Sequence, residues 1–88
     1  MLEIERTNQF KKDFKLAKRR GKRLERVAAV IDSLANDQPL HPRHRPHKLT
    51  GELAGYWECH VEPDYLMIYE YIDSRLILVR LGTHSDFF

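Results

Sequence analysis

An α+β domain, with a helical hairpin laid on a mainly antiparallel sheet in the order β-α-α-β-β-β, is what the sequence predicts. Three observations carry that expectation. Three strand-like segments, Gly55–Val61, Tyr65–Ile72 and Arg75–Leu81, follow one another with only short turns between them. Ahead of them lie two stretches whose apolar residues recur at helical spacing. A short alternating run, Leu2-Glu3-Ile4-Glu5, precedes both. With 88 residues, the chain is expected to form a single domain over 1–88, near the lower end of what one core supports.

In chain order, Thr7 or Asn8 caps a helix whose Phe10, Phe14 and Ala17 share one face. Its remaining surface is basic, with Lys11, Lys12, Lys15, Lys18, Arg19 and Arg20, and Gly21 stands where a helix stop is expected. A second helix, Lys22 to Asn36, carries Leu24, Val27, Ala28, Ile31, Leu34 and Ala35 on its inner face. Pro39, Pro42 and Pro46 then forbid regular structure across Gln38 to His47. In the next strand Trp57, Cys59 and Val61 point one way, and Tyr56, Glu58 and His60 the other. Glu62-Pro63-Asp64 is a tight turn and Asp73-Ser74 a hairpin turn. In the last strand Ile77, Val79 and Leu81 share a face, opposite Leu76, Leu78 and Arg80.

Composition narrows the classes. Hydrophobic residues at 42% and charged residues at 32% describe a globular chain rather than a disordered one. No apolar run approaches the roughly 18 residues of a membrane span, and the N-terminus lacks a signal peptide's apolar stretch. The single cysteine, Cys59, cannot form an internal disulfide, which fits a cytoplasmic protein. It shares the Trp57 face and is expected to be buried and inert. Residues 1–48 hold thirteen of the fifteen Lys and Arg but six of the thirteen acids, so the first half is basic and the second acidic. A basic half suits RNA or an acidic protein partner, although a solvated helix surface would look the same.

The groups able to carry chemistry are His47, His60, Asp64, Arg80, His84 and the last residue, Phe88. His60 near a strand end and Asp64 in the following turn fall on one rim, where a carboxylate can set an imidazole's tautomer. The loop histidines His41, His44 and His47 invite a metal. The two interleaved arginines, Arg43 and Arg45, argue against one, and no metal or other cofactor is expected. There is no Gly-rich phosphate loop, no nucleophile with a base and no carboxylate cluster for magnesium. Imidazole, carboxylate, guanidinium and aromatic groups are what metal-free RNA cleavage needs: a base for the ribose 2′-OH, an acid for the departing 5′ oxygen and a cation for the phosphorane. Tyr65 or Phe88 could stack on bases. Each residue also has a plainer reading, His60 as a rim histidine, Arg80 as a surface ion-pair partner, Phe87 and Phe88 as core, Tyr69 and Tyr71 as sheet surface.

The segments P-H-K-L-T-G (46–51), G-Y-W-E-C-H-V-E-P-D-Y-L-M-I-Y (55–69) and R-L-G-T-H-S-D-F-F (80–88) resemble the YafQ branch of the RelE/ParE superfamily of bacterial toxins. The likeness covers nearly the whole chain. It implies a compact RelE-like fold and an mRNA endoribonuclease acting mainly in the ribosomal A site. It also implies a cognate antitoxin that binds the toxin and, together with it, represses operator DNA. By position, His47, His60, Asp64 and His84 match the family's acid–base group, Arg80 its phosphate-holding arginine, Phe88 its near-terminal aromatic, and Tyr65 a position where relatives place an aromatic. Lys48, Arg43, Arg45, Lys11 and Lys15 are the expected RNA contacts, the last two also available to ribosomal RNA or an acidic antitoxin. One position departs from the pattern: relatives often have Arg just before the acidic residue of this strand, where this chain has Trp57. A ParE-like toxin that binds a protein target, or a catalytically silent binding module, would need no such set of histidines.

Overall fold

The computed structural model describes residues 1–87. A first strand, β1 (Glu3–Arg6), leads into helix α1 (Asn8–Arg19), which Thr7 caps by accepting the Phe10 N–H on its hydroxyl. Gly21 ends that helix at φ 75°, a left-handed conformation that a residue with a Cβ adopts only under strain. Helix α2 (Leu24–Ala35) returns alongside it. Val27, Leu34 and Ala35 are buried as expected, with Leu24 and Ile31 packed against the same cluster; Val30 is buried as well, whereas Ala28 is exposed.

Four further strands complete a five-stranded mixed sheet: β2 (His47–Lys48), β3 (Trp57–Glu62), β4 (Tyr65–Ile72) and β5 (Arg75–Gly82), in the order β1-β5-β4-β3-β2. β1 runs parallel to β5 and every other pair is antiparallel. Two elements go beyond the expected order. Residues 47–48 pair with β3 as a short edge strand, and a four-residue helix α3 (His84–Phe87) follows β5. The proline-rich segment 38–46 holds one 3-10 turn, Pro42–His44, in place of regular structure. No helix among the described residues is long and apolar enough to cross a membrane.

Both helices cover one face of the sheet. Phe10, Ala17, Val27 and Leu34 meet Cys59, Met67, Tyr69, Leu76, Leu78 and Leu81 in a single apolar cluster. Tyr69, expected on the surface, belongs to this core at 1% exposure, while its neighbour two residues on, Tyr71, is exposed. Trp57 packs on the edge of the same cluster, its ring stacked on Tyr69 at 6.4 Å.

Strand β5 departs from simple alternation. Tyr69 pairs with Leu78 and Ile68 with Arg80, so Val79 is an extra residue, a β-bulge. Leu76, Leu78 and Leu81 therefore face the helices together, and Arg80 is turned to the opposite side. Strict period-two reading puts Arg80 with Leu76 and Leu78, which would have buried it. Helix α1 accommodates the bulge: the Thr7 hydroxyl donates to the Val79 carbonyl at 3.0 Å, and the Asp13 carboxylate accepts the Leu81 N–H at 2.9 Å.

Cys59 is fully buried, and burial pushes its thiol up to about 12. A thiol needs its thiolate to react, so Cys59 is expected to stay unmodified by Ellman's reagent at pH 8 until the chain unfolds in guanidinium. Rapid labelling of the folded protein would contradict this packing.

Candidate active site

The face of the sheet turned away from the helices carries the chemistry. Paired residues in adjacent strands point the same way, so the register His47–Glu58–Ile68–Arg80 forms one row across β2, β3, β4 and β5. The next row is His60–Leu66–Gly82, at the rim, and His84 follows two residues beyond Gly82. With strands about 4.8 Å apart, His60 and Gly82 are roughly 10 Å apart. Leu66 and Ile68 lie between, both buried, giving an apolar floor flanked by polar groups.

His60 is held at both ring nitrogens. Its Nδ1 is 3.1 Å from the Pro63 carbonyl and its Nε2 is 3.3 Å from Nη2 of Arg45. A guanidinium only donates and a carbonyl only accepts, so together they select the tautomer with the proton on Nδ1 and a lone pair on Nε2. The expected partner, Asp64, is exposed in the β3–β4 turn, and it is the turn's backbone rather than its carboxylate that orients the ring. Arg45 reaches His60 because its own backbone is left-handed, at φ 41°, just after the 3-10 turn. His44, from that turn, donates Nδ1–H to the His60 carbonyl at 2.5 Å and fixes the loop to β3.

His47 faces oxygen on both sides, with Nδ1 2.9 Å from the Arg45 carbonyl and Nε2 3.4 Å from Glu58 Oε1. An imidazolium satisfies both contacts; a neutral ring satisfies one. Glu58 itself is buried at 4% exposure, and its Oε2 has no hydrogen-bond partner among the described residues. A buried carboxylate with one oxygen unpaired is costly, which makes Glu58 a candidate member of the site.

Across the floor, Arg80 is clamped. Its Nε donates to Asp13 Oδ2 at 2.8 Å and its Nη2 lies 3.5 Å from Oδ1, while the guanidinium stacks over the Phe87 ring at 5.0 Å. β1 ends opposite Leu78, which leaves the end of β5 without a neighbouring strand, and α1 brings Asp13 to that edge. Asp13 is buried and also accepts from Gln9, so the ion pair is a fixed part of the scaffold. At the rim, Asp86 of α3 forms a two-point pair with Arg20, whose guanidinium holds that carboxyl well below the usual range.

The structure thus brings His47, His60 and Arg80 onto one open face and carries His84 to its rim. Arg45 stands on His60, in contact with the site rather than merely near it. Arg43 lines a cleft of about 220 Å³ behind His60, shared with Arg26 and His44. Lys11 and Lys15 are exposed on the outer face of α1. Lys48 lies over the Trp57 ring at 5.5 Å, on the helix side of the sheet. Trp57 therefore faces away from the site, and its packing against Tyr69 accounts for an aromatic there. Tyr65 cannot stack on a base: it is 1% exposed, lies under the Lys22 ammonium, and its hydroxyl accepts from Arg20. Phe88 lies outside the described residues.

Glu58 and Asp13 escaped the sequence reading. Glu58 could have been found as an acid in mid-strand, flanked by Trp57 and Cys59. Asp13 carried no signal, since an acid among helix lysines reads as surface. Among the described residues no three His, Cys, Asp or Glu side chains converge as a metal site, and the loop histidines turn their Nδ1 atoms to three different backbone groups.

Comparison with known proteins identifies the family. The chain is 38% identical to the mRNA interferase toxin YafQ of Escherichia coli K12 over 87 residues, covering 98% of this chain and 95% of that one. It superposes on a metal-bound toxin from Helicobacter pylori with a TM-score of 0.94 at 41% identity, each chain covered completely. On the toxin of the E. coli DinJ–YafQ complex the TM-score is 0.91 at 37% identity, covering 100% of this chain and 99% of that one. Residues 2–88 match the family described as bacterial toxin of type II toxin–antitoxin system, YafQ, and the chain belongs to that family.

Proposed function

We propose that this toxin is an mRNA interferase, a metal-independent endoribonuclease that cuts message in the ribosomal A site and so inhibits translation. The observation that carries the reading is His60, its tautomer set by Pro63 and Arg45, facing a clamped Arg80 across an apolar floor. The unprotonated Nε2 of His60 takes the proton of a ribose 2′-OH, displacing Arg45 toward the phosphate. The 2′ oxygen attacks the adjacent phosphorus. Arg80 uses two of its five N–H groups on Asp13, which leaves others for the phosphorane oxygens, and His47 adds a further donor when it is protonated. His84, from the other end of the same rim, protonates the departing 5′ oxygen. The products are a 2′,3′-cyclic phosphate and a free 5′-OH.

The similar H. pylori toxin is metal-bound; the steps above use side chains alone, and cleavage in the presence of EDTA tests them. The outer face of α1, with Lys11, Lys12, Lys15, Lys18 and Arg19 all exposed, suits ribosomal RNA or an acidic antitoxin segment. A cognate antitoxin binds this chain as DinJ pairs with YafQ in the E. coli complex, and operator DNA is reached only through that complex. Such a toxin acts in the cytoplasm, where its targets are.

A defined mRNA, on programmed ribosomes and free in solution, tests this with EDTA present. Cutting is expected to resist EDTA, to leave a 2′,3′-cyclic end and to fall at least a hundredfold in His84→Ala. EDTA-sensitive cutting would overturn the metal-free mechanism. No cutting in either format would point to a protein target.

A further inference from the structure

Helix α3 has four residues, too few to be stable by itself, yet it carries His84. Its first turn is closed by a reciprocal pair: the Thr83 N–H donates to Asp86 Oδ2 at 2.8 Å, and the Asp86 N–H to the Thr83 hydroxyl at 3.2 Å. The same carboxylate receives the fork of Arg20, at 2.7 and 3.1 Å. Arg20 stands at the C-terminal cap of α1 and is steadied by the buried Tyr65 hydroxyl at 3.3 Å. The carboxylate is also pressed against the backbone of β5, since a Cβ on Gly82 would lie 2.5 Å from Asp86 Oδ2.

We propose that Arg20 is a positioning residue for RNA cleavage: through Asp86 it clasps α3 to the end of α1 and so fixes His84 opposite His60. This rests on the nuclease reading above. Arg20 does not touch the reacting atoms in this scheme. It acts on the fraction of time that His84 stands where the leaving oxygen forms, and a misplacement of about 1 Å in such a group can cost on the order of a hundredfold in rate. A four-residue helix that loses this clasp and keeps the Arg80–Phe87 stack opens locally at less free-energy cost while the core stays folded.

Arg20→Met keeps the aliphatic stem and removes the fork. Its cleavage rate constant is expected to fall between tenfold and a hundredfold, with affinity for an uncleavable 2′-deoxy substrate unchanged within twofold. Arg20→Lys should recover part of the rate. Asp86→Asn should show a similar loss, and the double variant should fall no further than either single one, because both remove one clasp. Additive losses, or a loss of substrate affinity in Arg20→Met, would make Arg20 an RNA contact and overturn the proposal, as would wild-type cleavage. Amide hydrogen exchange reads the clasp without activity. Residues 83–87 should exchange faster in Arg20→Met while core amides such as Met67 are unchanged, and unaltered exchange there sinks the idea. If the wild type cuts no RNA yet Arg20→Met shows this exchange pattern, the nuclease reading fails and the catalytic part of the proposal fails with it.

Discussion

His60→Ala is expected to lower single-turnover cleavage by 10²- to 10⁴-fold, the usual range for removing a general acid or base. The loss should lie in the chemical step, because Arg80 still holds the phosphate. His60 is also held by contacts that do not involve Asp64: the Pro63 carbonyl at Nδ1 and Arg45 at Nε2. Asp64→Asn should therefore cost no more than a few-fold. Arg45→Ala should weaken RNA binding more than it changes the tautomer, since Pro63 still accepts the Nδ1 proton. Rapid-quench measurements under saturating enzyme separate these outcomes. A His60→Ala protein within a few-fold of wild type would remove His60 from the mechanism, and an Asp64→Asn protein as crippled as His60→Ala would restore the carboxylate as its orienting partner.

Arg80→Ala should show two separable losses. The first is catalytic, about 10²- to 10³-fold, from removing a preorganised donor at the phosphorane. The second is structural. Asp13 has a side chain 7% exposed, and without Arg80 its charge keeps only the Leu81 N–H and Gln9 as partners. Breaking a fully buried pair from one side costs about 3–5 kcal/mol; here Arg80 is partly exposed, so about 1–2 kcal/mol is expected, and in a domain of this size each kcal/mol moves Tm by about 4–8 °C. A fall of roughly 5–15 °C is expected. Arg80→Lys keeps the charge but not the fork, so it should recover stability further than activity. Urea unfolding beside cleavage kinetics reads both. Undiminished stability in Arg80→Ala would show that the pair carries no weight, and undiminished cutting would show that another cation holds the phosphate.

Much of this was legible in the sequence, and the rest was not for identifiable reasons. The strands, the helix stop at Gly21 and the burial of Cys59 follow from local pattern, which reports directly on burial. The two-residue strand at His47–Lys48 is too short to show a period, and its pairing with β3 is a long-range event. That α2 buries Val30 and leaves Ala28 exposed is decided by the sheet it meets. Tyr71 is exposed as expected, but Tyr65 and Tyr69 are not, because the period-two pattern is ambiguous in a strand apolar on both faces: Leu66 and Ile68 lie on the face away from the helices while Tyr65 and Tyr69 fill the core. Arg80 came to the right side for a reason that the alternation denied, since the bulge at Val79 inverts the faces after Leu78.

That extra residue gives β5 something like a reading frame. Before Val79 even-numbered positions belong to the core, and after it odd-numbered ones do, so the strand changes phase once along its length. Deleting Val79 would leave every side-chain type in place and spoil the molecule. Arg80 would rotate toward the helices, Leu81 toward the water, and Asp13 would lose both partners it has on this strand. Substitution of Val79 by another β-branched residue should be silent. The position matters as a count rather than as a chemical identity, and a toxin of this build could be disarmed by shortening one strand by a single residue without altering any group that does chemistry.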